Sequence, residues 1–164
     1  MVVGDEAGTA LTTGDGNVAV GFEALKTEDA HGLNVAVGYQ ALENLNAGFD
    51  AYNVAVGSNA GGAMTTGVRN TILGGNAGDA LTTGSNNVAL GTFALSSDDL
   101  GTENTAVGYN TLSALNFATA TTSYNTAVGA RAGEAVTTGI ENTFIGGLAG
   151  DATTDADYNV ALGA

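Results

Sequence analysis

The sequence predicts an all-β protein, a parallel β-solenoid in which two short strands and two turns make up each rung of about 17 residues. Three observations lead there. A five-residue pattern opened by Asn recurs along the whole chain, apolar residues alternate within it with the period of a strand, and Gly closes every copy.

The pattern Asn-(Val/Thr)-(Ala/Ile/Phe)-(Val/Leu/Ile)-Gly opens at Asn17, Asn34, Asn53, Asn70, Asn87, Asn104, Asn125, Asn142 and Asn159. The successive spacings are 17, 19, 17, 17, 17, 21, 17 and 17, and Met1-Val2-Val3-Gly4 reads as the tail of an earlier copy. The third residue after each Asn is aliphatic (Val20, Val37, Val56, Leu73, Leu90, Val107, Val128, Ile145, Leu162), and the second is Ala except at Ile72 and Phe144. Such alternation puts the first and third residues on one face and the second on the other. Strands this short cannot bury a face alone. Successive copies are therefore expected to stack in parallel about 4.8 Å apart, each aliphatic side chain resting on its counterpart in the next coil. The closing glycines (Gly21, Gly38, Gly57, Gly74, Gly91, Gly108, Gly129, Gly146, Gly163) read as the corner where the chain turns.

A second strand is expected at Ala-(Leu/Met/Val)-Thr-Thr-Gly, which covers Ala10 to Gly14, Ala63 to Gly67, Ala80 to Gly84 and Ala135 to Gly139. The copies also come in two kinds. Those opened by Asn17, Asn34, Asn87 and Asn104 continue to a Leu, as in Gly38-Tyr39-Gln40-Ala41-Leu42. Those opened by Asn53, Asn70, Asn125 and Asn142 carry Ala-Gly instead, as in Gly74-Gly75-Asn76-Ala77-Gly78. Two of each alternate, and both long rungs, with loops Glu43 to Tyr52 and Ser113 to Tyr124, take the same place in the larger unit. The chain thus reads as one continuous array over 1–164, a four-rung module duplicated as 17–86 and 87–158 with partial rungs at both ends. Those partial rungs carry no polar cap, which predicts continuation into a longer fibre or end-to-end stacking.

Composition narrows the function classes. With 26 Gly, many Ala, and no Pro, Cys or Trp, the core must be narrow and built from small, regular contacts. Three basic residues (Lys26, Arg69, Arg131) stand against 17 acidic ones, a net charge of −14 that should repel nucleic acid and anionic lipid. No apolar run is long enough to span a membrane, and the N-terminus lacks the basic region of a signal peptide. No nucleophile and base, phosphate loop or Cys ligand set is visible, so no catalytic, cofactor or metal residue is assigned and the chain is not read as an enzyme.

The Asn ladder is expected to cap turns and stack amides from rung to rung. The acidic pairs Glu28-Asp29 and Asp98-Asp99 occupy matching loops, where calcium is conceivable; without EF-hand or nonapeptide spacing they are expected to be solvated turns. His31, the only histidine, reads as an ordinary surface residue. Candidates for receptor or subunit contact are the aromatics Tyr39, Phe49, Tyr52, Tyr109, Phe117 and Tyr124, which suit either packing between subunits or stacking on sugars.

The run Asn34-Val35-Ala36-Val37-Gly38-Tyr39-Gln40-Ala41-Leu42 and its relatives resemble the head repeats of YadA-type trimeric autotransporter adhesins, and still more the Asn-Thr-Ala-(Ile/Val)-Gly-Tyr-Gln-Ala-Leu repeats of bacteriophage tail-fibre proteins. The similarity covers nearly the whole chain. It implies a left-handed parallel β-roll, three chains side by side about a fibre axis, and attachment at a cell or virion surface to a glycan or protein receptor. The rungs are longer than the adhesin head repeat, and no stalk, anchor or chaperone segment is present. Apolar residues on both strand faces independently suggest a partner chain. The expected function is a structural or adhesive fibre segment. An ice-binding solenoid, suggested by the Thr-Thr pairs, and a self-stacking extracellular filament are the alternatives.

Overall fold

A computed structural model describes residues 1–163; Ala164, the end of the predicted array, lies outside them. The described residues contain no helix, and so none long and apolar enough to cross a membrane. The strands are β1 (Val2–Val3), β2 (Val18–Val20), β3 (Val35–Val37), β4 (Val54–Val56), β5 (Thr71–Leu73), β6 (Val88–Leu90), β7 (Gly101–Thr102), β8 (Thr105–Val107), β9 (Thr121–Thr122), β10 (Thr126–Val128), β11 (Thr143–Ile145) and β12 (Val160–Leu162). Ten of them form one parallel sheet in the order β1-β2-β3-β4-β5-β6-β8-β10-β11-β12. The register pairs each residue with its repeat equivalent, as in Val35↔Val54, Ala36↔Ala55 and Val37↔Val56. The chain is a solenoid of about nine turns, each contributing one three-residue strand.

The expected second strand does not form. Ala-(Leu/Met/Val)-Thr-Thr-Gly runs as turns and bends, and among the described residues a second ladder appears only where β7 pairs β9. The reason lies in the side chains. Met64, Leu81 and Val136 turn into the core, and the Thr that follows sends its hydroxyl to a carbonyl of the next rung, as Thr65 Oγ1 does to Thr82 O at 3.2 Å and Thr82 Oγ1 to Asp99 O at 3.1 Å. Irregular spacing of rung-to-rung bonds replaces a ladder on this side.

The alternation within each strand is present, and its inward face is the small one. Ala19, Ala36, Ala55, Ile72, Ala89, Ala106 and Ala127 are fully buried, while their neighbours on the strand point outward. The interior is completed by residues seven, eight and eleven after the Asn: Ala24, Leu25, Ala41, Leu42, Leu45, Ala60, Met64 and their equivalents. The two kinds of rung solve one volume problem in two ways. Where Leu stands eighth (Leu25, Leu42, Leu95, Leu112), the strand offers Ala. Where Gly stands eighth, Ile72 or Phe144 fills the gap: an added Cβ at Gly78 would lie 3.2 Å from Ile72 Cδ1, and one at Gly133 2.9 Å from Phe144 Cδ2.

Three further places per rung are left-handed: six and eight residues after the Asn, and immediately before it. Leu42 (φ 50°), Gln40 (φ 53°) and Tyr52 (φ 55°) are examples, none of them a residue type that favours this region. The corner glycine is different in kind. Gly74 has φ of +138°, and a Cβ there would sit 2.6 Å from the carbonyl oxygen of Gly91 in the next rung. Each corner stacks so closely on the next that no side chain fits.

Candidate functional site

The Asn side chains form a continuous file, buried from Asn17 to Asn142 and half-buried at Asn159. Each Oδ1 accepts the backbone N–H of the next Asn: Asn34 N donates to Asn17 at 3.0 Å, Asn53 N to Asn34 at 3.1 Å, Asn70 N to Asn53 at 2.9 Å, and so on to Asn159 N on Asn142 at 2.9 Å. The Nδ2 group crosses the rung to a carbonyl fourteen residues on, as from Asn53 to Gly67 O at 2.8 Å and from Asn87 to Gly101 O at 2.9 Å. One amide thus satisfies a donor on one strand and an acceptor on the opposite turn, both hidden from water. Besides Asn159, which donates to Asn142 Oδ1 and Asp157 O, two exceptions open the long rungs. Asn34 donates instead to Gly32 O at 3.1 Å, and Asn104 turns toward Asp98 Oδ2 at 3.5 Å. This file holds the rungs in register and offers nothing to a ligand.

The outward face of the ten-stranded sheet is a different surface. Its aliphatic side chains are Val3, Val20, Val37, Val56, Leu73, Leu90, Val107, Val128, Ile145 and Leu162, one per strand in a single file, with Val or Thr beside them. They cover one another along the file but leave the outer side open, with Val56 37% and Leu73 39% exposed. At about 4.8 Å per step the file runs for roughly 43 Å. No position on the outward face of any strand carries a charge. Phe22 and Tyr39, just past the corner, stack with centroids 5.4 Å apart and planes at 15°, and Phe93 meets Tyr109 edge to face at 6.4 Å. At the other end of the strands, just before the Asn, stand the exposed Leu33, Tyr52, Tyr124 and Tyr158.

Of the six aromatics expected at a contact surface, Tyr39, Phe49, Tyr52, Tyr109 and Tyr124 are exposed and Phe117 is not. Phe117 stands thirteen residues after Asn104, the place that Ala47 takes in the first long rung, and both are 5% exposed. Its ring is part of the core cluster at the root of the second long loop, which removes it from any receptor surface.

The acidic pairs are only half solvated, the second member of each reaching water while the first does not. Glu28 and Asp98 are fully buried, because they stand eleven residues after the Asn, where other rungs place Leu45, Met64, Leu81, Leu115 or Val136 in the core. Asp98 Oδ1 accepts the N–H of Gly101 at 2.9 Å. Burial pushes its carboxyl up to about 6, against a smaller opposing effect of the Gly101 N–H, with the neighbouring Asp99 charge adding to the rise. Burial likewise raises Glu28, partly offset by the backbone N–H groups of Ala47 and His31. His31 N donates to Glu28 Oε1 at 3.3 Å, whereas Glu28 Oε2 makes no hydrogen bond. The His31 ring is about one-third exposed, but its Nδ1 is buried and unpartnered.

No pocket is present among the described residues. No protein-family model, curated protein or solved structure matches the chain. The outward apolar face with its aromatic margins and the buried acidic positions are the chain's most distinctive chemical features.

Proposed function

We propose that this chain is a segment of an extracellular or virion-borne fibre, an adhesin head or tail-fibre shaft, in which three copies of a left-handed solenoid pack about a common axis through their outward sheet faces. The observation that supports it best is the unbroken aliphatic file along that face. A water-facing sheet ordinarily shows polar residues outward, and an apolar ribbon of this length marks a surface that buries against another chain. The exposed Tyr39, Tyr109, Tyr52, Tyr124 and Phe49 then have two uses. Those nearest the strands pack at the subunit margins, and those on the loops meet a surface glycan or protein.

Sedimentation velocity on the chain and on a Val37→Glu/Leu90→Glu variant tests the assembly. The expected result is a trimer that the variant converts to monomer with its circular dichroism unchanged, since the altered side chains lie outside the core. A monomeric parent chain defeats the proposal. A glycan array on the trimer then addresses the receptor. The ice-binding alternative loses support from the hydroxyls of Thr12, Thr65, Thr82 and Thr137, which are committed to carbonyls of the adjacent rung. Thermal hysteresis would restore it, and long filaments in electron micrographs of the trimer would favour end-to-end stacking.

A further inference from the structure

Glu28, Asp29 and His31 bring two carboxylate oxygens and an imidazole nitrogen within 4.8 Å of one another. His31 Nδ1 lies 3.8 Å from Glu28 Oε1 and 4.0 Å from Asp29 Oδ1. Neither distance is a hydrogen bond. Nδ1 of His31 is buried without a partner, and the fully buried Glu28 keeps only the His31 N–H on Oε1 while its Oε2 has no partner at all. A buried carboxylate left so poorly compensated is costly, and a cation between these groups would supply what the protein does not.

We infer that Glu28, Asp29 and His31 form a binding site for a divalent transition-metal cation of the zinc type, set in the turn of the first full rung. One imidazole with two carboxylates is a mixed nitrogen and oxygen set that suits zinc and its neighbours. Calcium wants six to eight oxygens, and this turn does not bring them together. In a tetrahedral site with bonds of about 2.0–2.2 Å, ligand atoms stand roughly 3.3–3.6 Å apart, so each carboxylate needs to approach the imidazole by only about half an ångström and the two carboxylate oxygens, within 4.8 Å of each other, by about 1.5 Å at most. The remaining coordination position faces solvent past Asp29, whose side chain is 52% exposed.

The turn is held from both sides before any metal arrives. The N–H and hydroxyl of Thr12 donate to Asp29 O at 2.7 and 3.1 Å, Asn17 Nδ2 donates to His31 O at 2.9 Å, and Gly32 N donates to Asp50 Oδ1 at 3.1 Å. The duplicated module provides an internal control. Its Asp98-Asp99 pair has Gly101 where the first module has His31, and the Asp98 carboxylate is already occupied by the Gly101 N–H and approached by Asn104 Nδ2. The site is therefore expected once per chain.

Titration calorimetry of the chelator-treated full chain with zinc, alongside the absorption spectrum of the cobalt-loaded protein, reads this directly. The expected result is one saturable equivalent per chain that His31→Ala and Glu28→Gln each weaken at least about tenfold, while Asp98→Asn retains it. His31 is partly exposed, so its variant should keep the parent circular dichroism even if Glu28→Gln misfolds. Absence of saturable zinc uptake, uptake that His31→Ala leaves unchanged, or calcium binding as tight as zinc overturns the assignment.

Discussion

Asp98 is a carboxylate in a place built for leucine, and Asp98→Asn isolates what that costs. The amide keeps an oxygen for the Gly101 N–H and removes the charge. The folded-state value of about 6 lies above the ordinary 3.8, so the folded protein holds this proton more tightly than the unfolded chain. Stability from this group is therefore complete below about pH 3.8 and is lost as pH rises through about 6. A rise of about two units corresponds to roughly 3 kcal/mol, all of it lost by neutral pH. About half of that loss falls between about pH 4.8 and 7.5, a range clear of the isoelectric point near 4.1. Denaturant melts of parent and variant across this range measure it. Hydrogen exchange in the rung 87–103 gives a second reading should the array unfold piecewise. Relative to Asp98→Asn, the parent is expected to lose about 1.5 kcal/mol on going from the acidic to the neutral end. Comparing the two proteins cancels the titration of the other acidic residues. A difference that does not vary with pH refutes the reasoning, because a solvated carboxylate would behave that way.

Three further outcomes follow from the packing. Gly74→Ala forces a Cβ against the Gly91 carbonyl in a backbone region closed to other residues, and is expected to cost about 3 kcal/mol or more, read as a lowered melting temperature. Asn87→Ala orphans the buried Asn104 N–H and Gly101 C=O at about 1–3 kcal/mol each, and exchange of the Asn104 amide should accelerate most. Phe144→Ala leaves a void that Gly133 and Gly150 cannot fill and is expected to cost about 3–5 kcal/mol in denaturant melts, with assembly unchanged.

The strand alternation, the stacking register and the corner glycine could be read in the sequence because each depends on a period that local sterics enforce. Which strand face lies inside could not be read from alternation, since Ala and Val are both apolar. The deciding signal was nevertheless present. Ile72 and Phe144 occur in the copies that carry Gly, not Leu, eighth after the Asn, an exchange of volume that makes sense only if both places share one interior. Glu28 and Asp98 were legible in the same way, as the acidic members of a column that holds Leu, Met or Val in every other rung but the last, where Thr153 stands. Thr-Thr-Gly misled because high β propensity was taken for a ladder, whereas the preceding core residue and the side-chain bonds to the next rung bend the chain there. The left-handed Leu and Gln residues gave no local sign, because tertiary stacking imposes that conformation against their preference.

The rung separates tasks that many folds mix. The Asn file fixes register through buried amides, the inward residues share a fixed volume, and the outward residues touch neither. Strand geometry enforces that separation, since adjacent side chains point to opposite faces. Alterations at Val37 or Leu90 should then change association without changing the stability of an isolated rung, and alterations at Ile72 or Phe144 should do the reverse. A double variant such as Leu90→Glu/Phe144→Ala should show additive losses in the two measurements. Strong coupling between them would mean that the outward face helps hold the rung closed, and the apolar file would then belong to folding as much as to assembly.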